Sequence, residues 1–330
     1  MKILILITTL YITACSTGGP SFSALPPAPK WPEQVNLNWF TAMDPYGNYG
    51  SSRPGSPDFM NLFQNGTWAG LQQIQVFKFY AQFFYSAPDA ALIQVFEFLK
   101  QQHIAVGIEI GAVNSVNGCG TNVEGMAGLQ QTQSLMARIA SLGGNIDFVA
   151  MDEPFYYGHY YNGSDDACEF SITQLINNLN QTIQIYKSYF PNVTIGDIEP
   201  FFAMPNTWQV DYQNFLDQFE TTTGNKMNFV HDDAHIELTS WQTIASNIRS
   251  ILITNGIPYG LIRNDCVGGT NSVDWVNDAL YCAGYYNTLG LAAPDQNIFQ
   301  TWAALPQNVL PETTPGTMTY FVDQFNLNNF

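Results

Sequence analysis

The sequence predicts a single (β/α)8 barrel (a TIM barrel) over residues 34–330. Short apolar runs alternate with amphipathic stretches from residue 35 to the end, and eight such pairs follow one another. Alternating strands and helices imply parallel pairing, and eight such units close a barrel. A doubly wound open sheet is the alternative, but the first predicted strand is followed by Thr41-Ala42-Met43-Asp44-Pro45 and not by the Gly-rich phosphate turn typical of that fold.

Each element is predicted from its hydrophobic period and its end signals. Ser171 and Ser240 are candidate helix N-caps, and Gly143, Gly224 and Gly256 are candidate helix ends. The predicted strands are Val35–Phe40, Ile74–Phe84, Ile104–Val113, Ile146–Met151, Val193–Ile198, Met227–Val230, Pro258–Ile262 and Asn297–Trp302. The predicted helices are Asp58–Gln73, Pro88–Gln102, Glu124–Leu142, Ser171–Tyr189, Trp208–Thr222, Ser240–Thr254, Val273–Thr288 and Thr317–Gln324.

The N-terminal segment resembles a bacterial lipoprotein signal. Lys2 precedes an apolar run too short to span a membrane, and the run ends in Ile12-Thr13-Ala14-Cys15, which is similar to a lipobox. The resemblance implies removal of residues 1–14, a lipid anchor on Cys15 and attachment to the membrane of the cell envelope. Residues 15–33 are rich in Pro and Gly and are predicted to form a tether. Secretion without an anchor is the alternative.

The charge of the chain limits its partners. The formal net charge is −17, so the protein repels polyphosphates, and we expect no nucleic-acid partner. We expect a monomer without a cofactor.

Four cysteines remain after Cys15, and an even number in an exported protein indicates two disulfides. Three pairings are possible from sequence alone. The barrel interpretation places Cys119 and Cys168 on neighbouring loops, and Cys266 and Cys282 around one helix, so these two pairs are favoured.

The third predicted strand gives a clear inner face. Alternation in IAVGIEIGAV turns Glu109 inward, and Lys78 and Tyr80 share a face of the second strand. Lys78 is a candidate partner of Glu109, either as a buried ion pair that fills space or as the floor of a polar pocket. Asn38 on the first strand is a further candidate polar group.

Carboxylates and aromatic residues gather where the later strands end, the end at which barrel enzymes carry their active sites. The fourth strand ends in Asp152-Glu153-Pro154 and is followed by Tyr156 and Tyr157, whose rings could stack on the apolar faces of sugars. The candidates on the remaining strand ends are Asp197, Glu199, His231, Asp232, Asp233, Asp265 and Trp302.

Asp152-Glu153-Pro154 resembles the Asn-Glu-Pro motif of retaining (β/α)8 glycoside hydrolases, in which the Glu is the acid/base. Trp302 at the last strand end is also similar to that superfamily. The resemblance implies a glycosidase acting on an oligo- or polysaccharide. Asp152 replaces the Asn, and the seventh strand ends in Asp265 and not in the nucleophilic Glu of that superfamily.

Glycoside cleavage needs one protonated and one ionised carboxyl group, about 5–5.5 Å apart for retention or about 6.5–9.5 Å apart for inversion. Glu153 is the predicted acid, because crowding by Asp152 would raise its pKa. Its partner is left open between Glu199, Asp232 and Asp233. Lys78, Glu109 and Asp197 are predicted to orient these groups.

Three alternatives compete with the glycosidase. His231, Asp232 and His235 lie close enough in sequence to suggest a metal-dependent hydrolase, but the first strand carries Asn36-Leu37-Asn38 where barrel amidohydrolases place an H-x-H. A lipoprotein that binds glycans without cleaving them would keep the aromatic residues but would not need paired carboxylates. A polysaccharide lyase is disfavoured by the small number of Lys and Arg residues.

Overall fold

The computed structural model describes residues 36–50, 52–116, 118–328 and 330. The predicted signal, Cys15 and the tether lie outside these residues. Within the described part of the chain, eight parallel strands pair in sequence order, and the first strand pairs with the eighth through Leu37 and Gln296. The predicted single (β/α)8 barrel is therefore confirmed.

The strands are β1 (Leu37–Phe40), β2 (Val76–Tyr80), β3 (Ala105–Ile110), β4 (Phe148–Asp152), β5 (Thr194–Glu199), β6 (Val230–Asp232), β7 (Tyr259–Arg263) and β8 (Gln296–Phe299). The helices are α1 (Ala81–Ser86), α2 (Asp89–Gln102), α3 (Leu129–Ser141), α4 (Ile172–Tyr189), α5 (Trp208–Thr223), α6 (Trp241–Asn255), α7 (Ser272–Thr288) and α8 (Met318–Leu327).

Alternation along the strands divides the buried residues between two cores. One core fills the barrel and the other packs the strands against the helices, because successive side chains of a strand point to opposite faces. Trp39 lies at the centre of the inner core, with its ring 5.0 Å from that of Phe148 and 5.2 Å from that of Phe229. The inner core consists of Leu37, Trp39, Val76, Ala105, Phe148, Ala150, Ile198, Phe229, Ile262 and Ile298.

Two predicted elements differ in the structure. The helix predicted over Asp58–Gln73 is two short 3₁₀ helices, Phe59–Phe63 and Ala69–Gln73, separated by a turn in which Gly66 has a φ of 79°. The extended backbone of Gln64 ends the first helix, and the left-handed Gly66 turns the chain before the second, so the apolar residues of this segment are buried without a continuous helix.

The second difference is at β2, which ends at Tyr80 where the prediction extended the strand to Phe84. The next residues form α1, and the Phe83 ring stacks on that of Phe79 at 4.9 Å. The apolar run from Ile74 to Phe84 thus forms a buried strand and then a buried helix. A run of apolar residues is compatible with either structure, so the sequence pattern does not show where the strand ends.

The helix ends follow several of the predicted signals. Ser171 forms a capping box with Gln174 at the start of α4, and Gly224 and Gly256 end α5 and α6 in the left-handed conformation. Ser240 precedes α6 but makes no side-chain capping bond, because its backbone is already helical.

Two disulfides join the predicted pairs, Cys119 with Cys168 and Cys266 with Cys282. Disulfides form and persist in oxidising compartments, so both bonds fit an exported protein. In the described part of the chain, every helix is too short or too polar to span a bilayer.

Candidate active site

A pocket of about 470 Å³ opens at the carboxyl ends of the strands, where the active sites of (β/α)8 enzymes lie. Its polar groups come from the ends of several strands and its aromatic groups from the loops that follow them. The residues that line it and bear on its chemistry are Tyr49, Arg53, Tyr80, Glu109, Glu124, Asp152, Glu153, Tyr156, Tyr157, Phe202, Asp233, His235, Gln300 and Trp302.

The floor of the pocket is a hydrogen-bonded network around Lys78. The Lys78 ammonium, which is 0% exposed, contacts the Glu109 carboxylate and donates to Gln300 Oε1 at 2.5 Å. Gln300 Nε2 donates to Glu109 Oε2 at 3.0 Å and to the Tyr80 hydroxyl at 3.2 Å, and Tyr80 donates to the Thr301 carbonyl at 2.8 Å. The predicted pairing of Lys78 with Glu109 is present, and the buried ammonium has two polar partners.

The Glu153 backbone directs its carboxyl into the pocket. Glu153 directly follows β4 and adopts a φ of 47°, the left-handed region that costs a non-glycine residue about 1 kcal/mol or more. Its N–H donates to the Ile198 carbonyl at 3.1 Å, and its carbonyl accepts from the N–H of Tyr157 at 3.0 Å. These two bonds hold Glu153 in a conformation in which its side chain does not follow the inward and outward alternation of β4.

The Glu153 carboxyl is in hydrogen-bonding contact with the carboxyl of Asp233. Two carboxyl groups can share such a bond only when one of them is protonated. Burial, followed by the charges of Asp152 and Asp233, raises the pKa of Glu153 well above its usual range. The pair therefore holds one proton near neutral pH, chiefly on Glu153.

Asp152 points into the same pocket from the last residue of β4. Burial raises its pKa, the charges of Glu109 and Glu124 raise it further, and the ammonium of Lys78 lowers it. With Glu153 and Asp233, five carboxyl groups thus lie close enough to influence one another through charge.

Aromatic side chains form part of the pocket wall. The rings of Tyr156 and Tyr157 meet edge to face at 5.0 Å, and the Tyr157 hydroxyl donates to Glu124 Oε2 at 2.8 Å. Phe202 packs against His235 at 4.1 Å, and Trp302 packs on the inner core. The pocket consequently offers apolar ring faces beside its acidic groups.

The structure corrects the positions predicted for Asp197 and Glu199. Ile198 belongs to the inner core, so its two neighbours on β5 face outward into the layer between the strands and the helices. Both side chains are fully buried there, and neither lines the pocket. Glu199 is therefore not placed to act as the ionised partner of Glu153, and Asp197 is not placed to bind substrate.

Asp232 is corrected for the same reason. It faces outward from β6 and accepts hydrogen bonds from the hydroxyl of Tyr259 at 2.9 Å and from Nε1 of Trp241 at 3.3 Å. Burial raises its pKa to about 7. Of the three partners considered for Glu153, only the next residue, Asp233, reaches the pocket.

Three further predicted residues also lie outside the pocket. Asn38 takes part in a network with the side chains of Gln75 and Asn297, and His231 is buried in the barrel against Gln296. Asp265 accepts a hydrogen bond from the N–H of Gly269 at 3.1 Å and thereby shapes its own loop. Among the remaining predicted substrate-binding residues, Glu109, Tyr80, Asp152, Tyr156, Tyr157 and Trp302 line the pocket, and Lys78 lies beneath it.

Several lining residues were not predicted from the sequence. Gln300 directly follows β8, so its place at a strand end could have revealed it. Tyr49 and Arg53 come from a long loop without a periodic pattern, and Glu124, predicted as the first residue of a helix, lies in the loop before α3, which begins at Leu129. Within the described residues, no cluster of three or more His, Cys, Asp or Glu side chains is arranged to hold a metal ion.

No protein-family model and no curated protein matches this chain. Among solved structures, it is similar to the carboxyl transferase domain of Rhizobium etli pyruvate carboxylase with pyruvate and biocytin, with a TM-score of 0.50, 12% identity, and coverage of 89% of this chain and 44% of that one. The same domain with pyruvate matches with a TM-score of 0.49, 12% identity and the same coverage.

The complete Rhizobium etli pyruvate carboxylase matches with a TM-score of 0.48 and 12% identity, over 89% of this chain and 25% of that one. The chain spans less than half the length of these matches. At this identity the likeness describes the barrel fold alone and carries no activity or substrate to this chain.

The comparison corrects the glycoside hydrolase prediction. The structures named above are a pyruvate carboxylase and its carboxyl transferase domain, and none of them is a glycoside hydrolase. What this chain shares with these structures is a (β/α)8 barrel.

Proposed function

We propose that this protein is an enzyme that uses the Glu153–Asp233 pair as a proton donor and acceptor, acting on an uncharged or positively charged polar substrate. The observation that carries the proposal is the contact between the two carboxyl groups in a pocket at the carboxyl ends of the strands. Groups with strongly raised pKa values in a cleft are typical of catalytic acids and bases.

The pair suits acid–base catalysis near neutral pH. Glu153 holds a proton that it can donate to a substrate oxygen or nitrogen, while Asp233 accepts a proton from the substrate or from water. The pair then carries one proton after the reaction, as it did before. In known enzymes, two carboxyl groups that share one proton act as the acid and the base of the same reaction.

The charges of the pocket select against anionic substrates. Five carboxyl groups line it, and Lys78 balances only that of Glu109. Arg53 adds one positive charge, but its side chain is exposed. A carboxylate or phosphate ligand would be repelled by those of the other acids that are ionised, Asp233 among them, whereas a neutral or cationic ligand would not. The ring faces of Tyr156, Tyr157 and Trp302 provide apolar contact for such a ligand.

A test that does not require a known substrate uses exchange in D₂O. Neutral hydroxyketones and polyols, amines and anionic hydroxy acids are incubated with the enzyme, and proton NMR records product formation or loss of carbon-bound protons. We expect turnover of a neutral or cationic compound, with a loss of about 100-fold or more in Glu153→Gln and in Asp233→Asn.

Asp265→Asn is the matched control, because this residue also follows a strand but lies outside the pocket. Turnover confined to anionic compounds would contradict the proposed substrate class. Equal rates in Glu153→Gln and in the unsubstituted protein would contradict the proposed acid.

We also propose that Cys15 carries the lipid anchor implied by its lipobox-like context and that the barrel works at the cell envelope. The two disulfides support an oxidising location. Expression in a bacterium fed an alkyne fatty acid tests this: the protein should be labelled, and Cys15→Ser should not. Equal labelling of both would overturn the anchor.

A further inference from the structure

Behind β5, on the side away from the pocket, lies a second pair of acids. Asp197 and Glu199 are both 0% exposed, and their carboxyl groups are in hydrogen-bonding contact. The hydroxyl of Tyr212 on α5 donates to Asp197 Oδ2 at 2.9 Å. Two buried acids that share a proton behind a site must be held by specific partners, because an unpaired buried charge is costly.

Both oxygens of Glu199 accept hydrogen bonds from the backbone that follows Glu153. The N–H of Phe155 donates to Oε1 at 2.6 Å, and the N–H of Tyr156 donates to Oε2 at 3.0 Å. Pro154 has no N–H, so these are the first two donors after Glu153. Both carboxyl oxygens of Glu199 thus serve as acceptors for the backbone that follows Glu153.

This contact acts on a strained segment. Glu153 has a left-handed backbone, and Tyr156–Tyr160 form a short π-helix, a rare structure that is frequent at functional sites. The helical turn starts with N–H groups that lack intrahelical partners, and Glu199 satisfies two of them. Without that acceptor, Phe155 and Tyr156 would each lose a buried partner.

We propose that Glu199 is a positioning residue: supported by Asp197 and Tyr212, it holds the Phe155–Tyr156 backbone and thereby keeps the Glu153 carboxyl against Asp233. The inference rests on the proposed function, since it assigns to Glu199 a role in placing the proposed acid. The Glu199 side chain does not line the pocket, so it acts through the backbone.

The position of Glu153 can be measured through its own pKa. Contact with Asp233 and burial keep that pKa raised, so release of the segment towards water would lower it. Substitutions at position 199 leave the other groups that face Glu153 unchanged: Asp152, Asp233, Glu124, Tyr156 and Tyr157. Glu199 also acts on Glu153 through charge, so amide exchange of Phe155 and Tyr156, and the variant Tyr212→Phe, which keeps Glu199, separate positioning from the loss of that charge.

The experiment is a ¹³C NMR titration of the full chain labelled at the Glu carboxyl carbon, with the Glu153 signal assigned by its absence in Glu153→Gln. In Glu199→Gln one acceptor becomes an NH₂ donor facing an N–H. We expect the pKa of Glu153 to fall by about one unit or more. Amide exchange of Phe155 and Tyr156 should also accelerate. Tyr212→Phe should change the Glu153 pKa and the two exchange rates in the same direction, but by less. This variant provides the test if Glu199→Gln does not fold.

Asp147→Asn is the matched control. Asp147 is also a partly buried acid that accepts a backbone N–H, that of Val106 at 2.9 Å, but it lies at the opposite end of the barrel. It should lose stability without moving the pKa of Glu153. An unchanged Glu153 pKa in both Glu199→Gln and Tyr212→Phe would overturn the positioning role, as would an equal shift in Asp147→Asn.

The two proposals fail in different ways. A shifted Glu153 pKa in Glu199→Gln supports the positioning role even if no substrate is turned over, an outcome that counts against the acid–base function alone. Where a substrate is found, Glu199→Gln should lower kcat at least tenfold and change KM much less, since it displaces the proposed acid, whereas Tyr156 is only one of several ring contacts for the substrate.

Discussion

The ammonium of Lys78 on β2 contacts the carboxylate of Glu109 on β3 inside the barrel, directly beneath the pocket. The two residues are offset by two positions in the strand register, because Lys78 is the Cα partner of Gly107 and Tyr80 is that of Glu109. Gly107 contributes no side chain because the Trp39 ring and Val76 occupy that space, each 3.2 Å from where a Cβ would lie. Gln300 completes the contact with a bond to each partner.

Lys78→Met should destabilise the protein by about 3–5 kcal/mol, since it leaves the Glu109 carboxylate without its counter-charge. The double variant Lys78→Met/Glu109→Gln should recover part of the loss, because no uncompensated charge is then buried. Urea unfolding measures both, with exposed Lys100→Ala as the control. A double variant less stable than Lys78→Met would contradict this account.

The free energy of unfolding should fall as the pH rises from about 4 to about 8. Burial raises the pKa of Asp232 to about 7 from a usual value of 3.8. A carboxyl group with a raised folded-state pKa contributes stability that is full below its unfolded pKa and is lost as the pH rises through the folded value. Asp232→Asn should flatten the slope of stability against pH in this window. Urea midpoints at several pH values measure the slope, and an unchanged slope would argue against Asp232 as its source.

The disulfides should contribute unequally to stability. Cys119 and Cys168 are 49 residues apart, whereas Cys266 and Cys282 are 16 apart. Loop-closure entropy gives about 4 kcal/mol for the longer loop and about 3 kcal/mol for the shorter. Chemical unfolding of Cys119→Ser/Cys168→Ser and of Cys266→Ser/Cys282→Ser tests the order. A reversed order would show that native packing outweighs loop entropy here.

Arg263→Lys should be more destabilising than Arg263→Met, by about 2 kcal/mol. The guanidinium is buried, donates to Asn297 at 3.1 Å and lies 4.9 Å and 5.2 Å from the ring centroids of Tyr286 and Phe325. A lysine keeps the charge but cannot stack in a plane between the rings, whereas methionine keeps the apolar stem and removes the charge. Thermal melts of the two variants decide the order.

Much of the fold could be predicted because each strand and helix is marked locally. The eight apolar runs, the Ser171 cap and the glycines ending α5 and α6 depend on neighbours in the chain. The structure of residues 58–73 could not be predicted, because its apolar residues are buried by tertiary contacts and do not form the apolar face of one helix. The prediction of Glu109 as an inner residue succeeded for a similar reason, since alternation is clear along the whole of β3.

The candidate site was harder to predict, because a carboxylate at a strand end can face either way. Glu199 and Asp232 looked equivalent to Asp233 in the sequence, yet one residue of alternation sends the first two outward and the third into the pocket. Glu153 escapes the alternation through a left-handed backbone that no sequence pattern signals in a glutamate.

The sequence by itself determined the barrel, the cysteine pairs favoured by that barrel, and the inner position of Glu109, because period and spacing are properties of the chain. Only the tertiary structure decided which acids meet. Contact between Glu153 and Asp233 depends on the closure of eight strands and on a backbone turn held from behind by Glu199. Proton sharing requires an approach within hydrogen-bond distance, which residues 80 positions apart reach only through the fold.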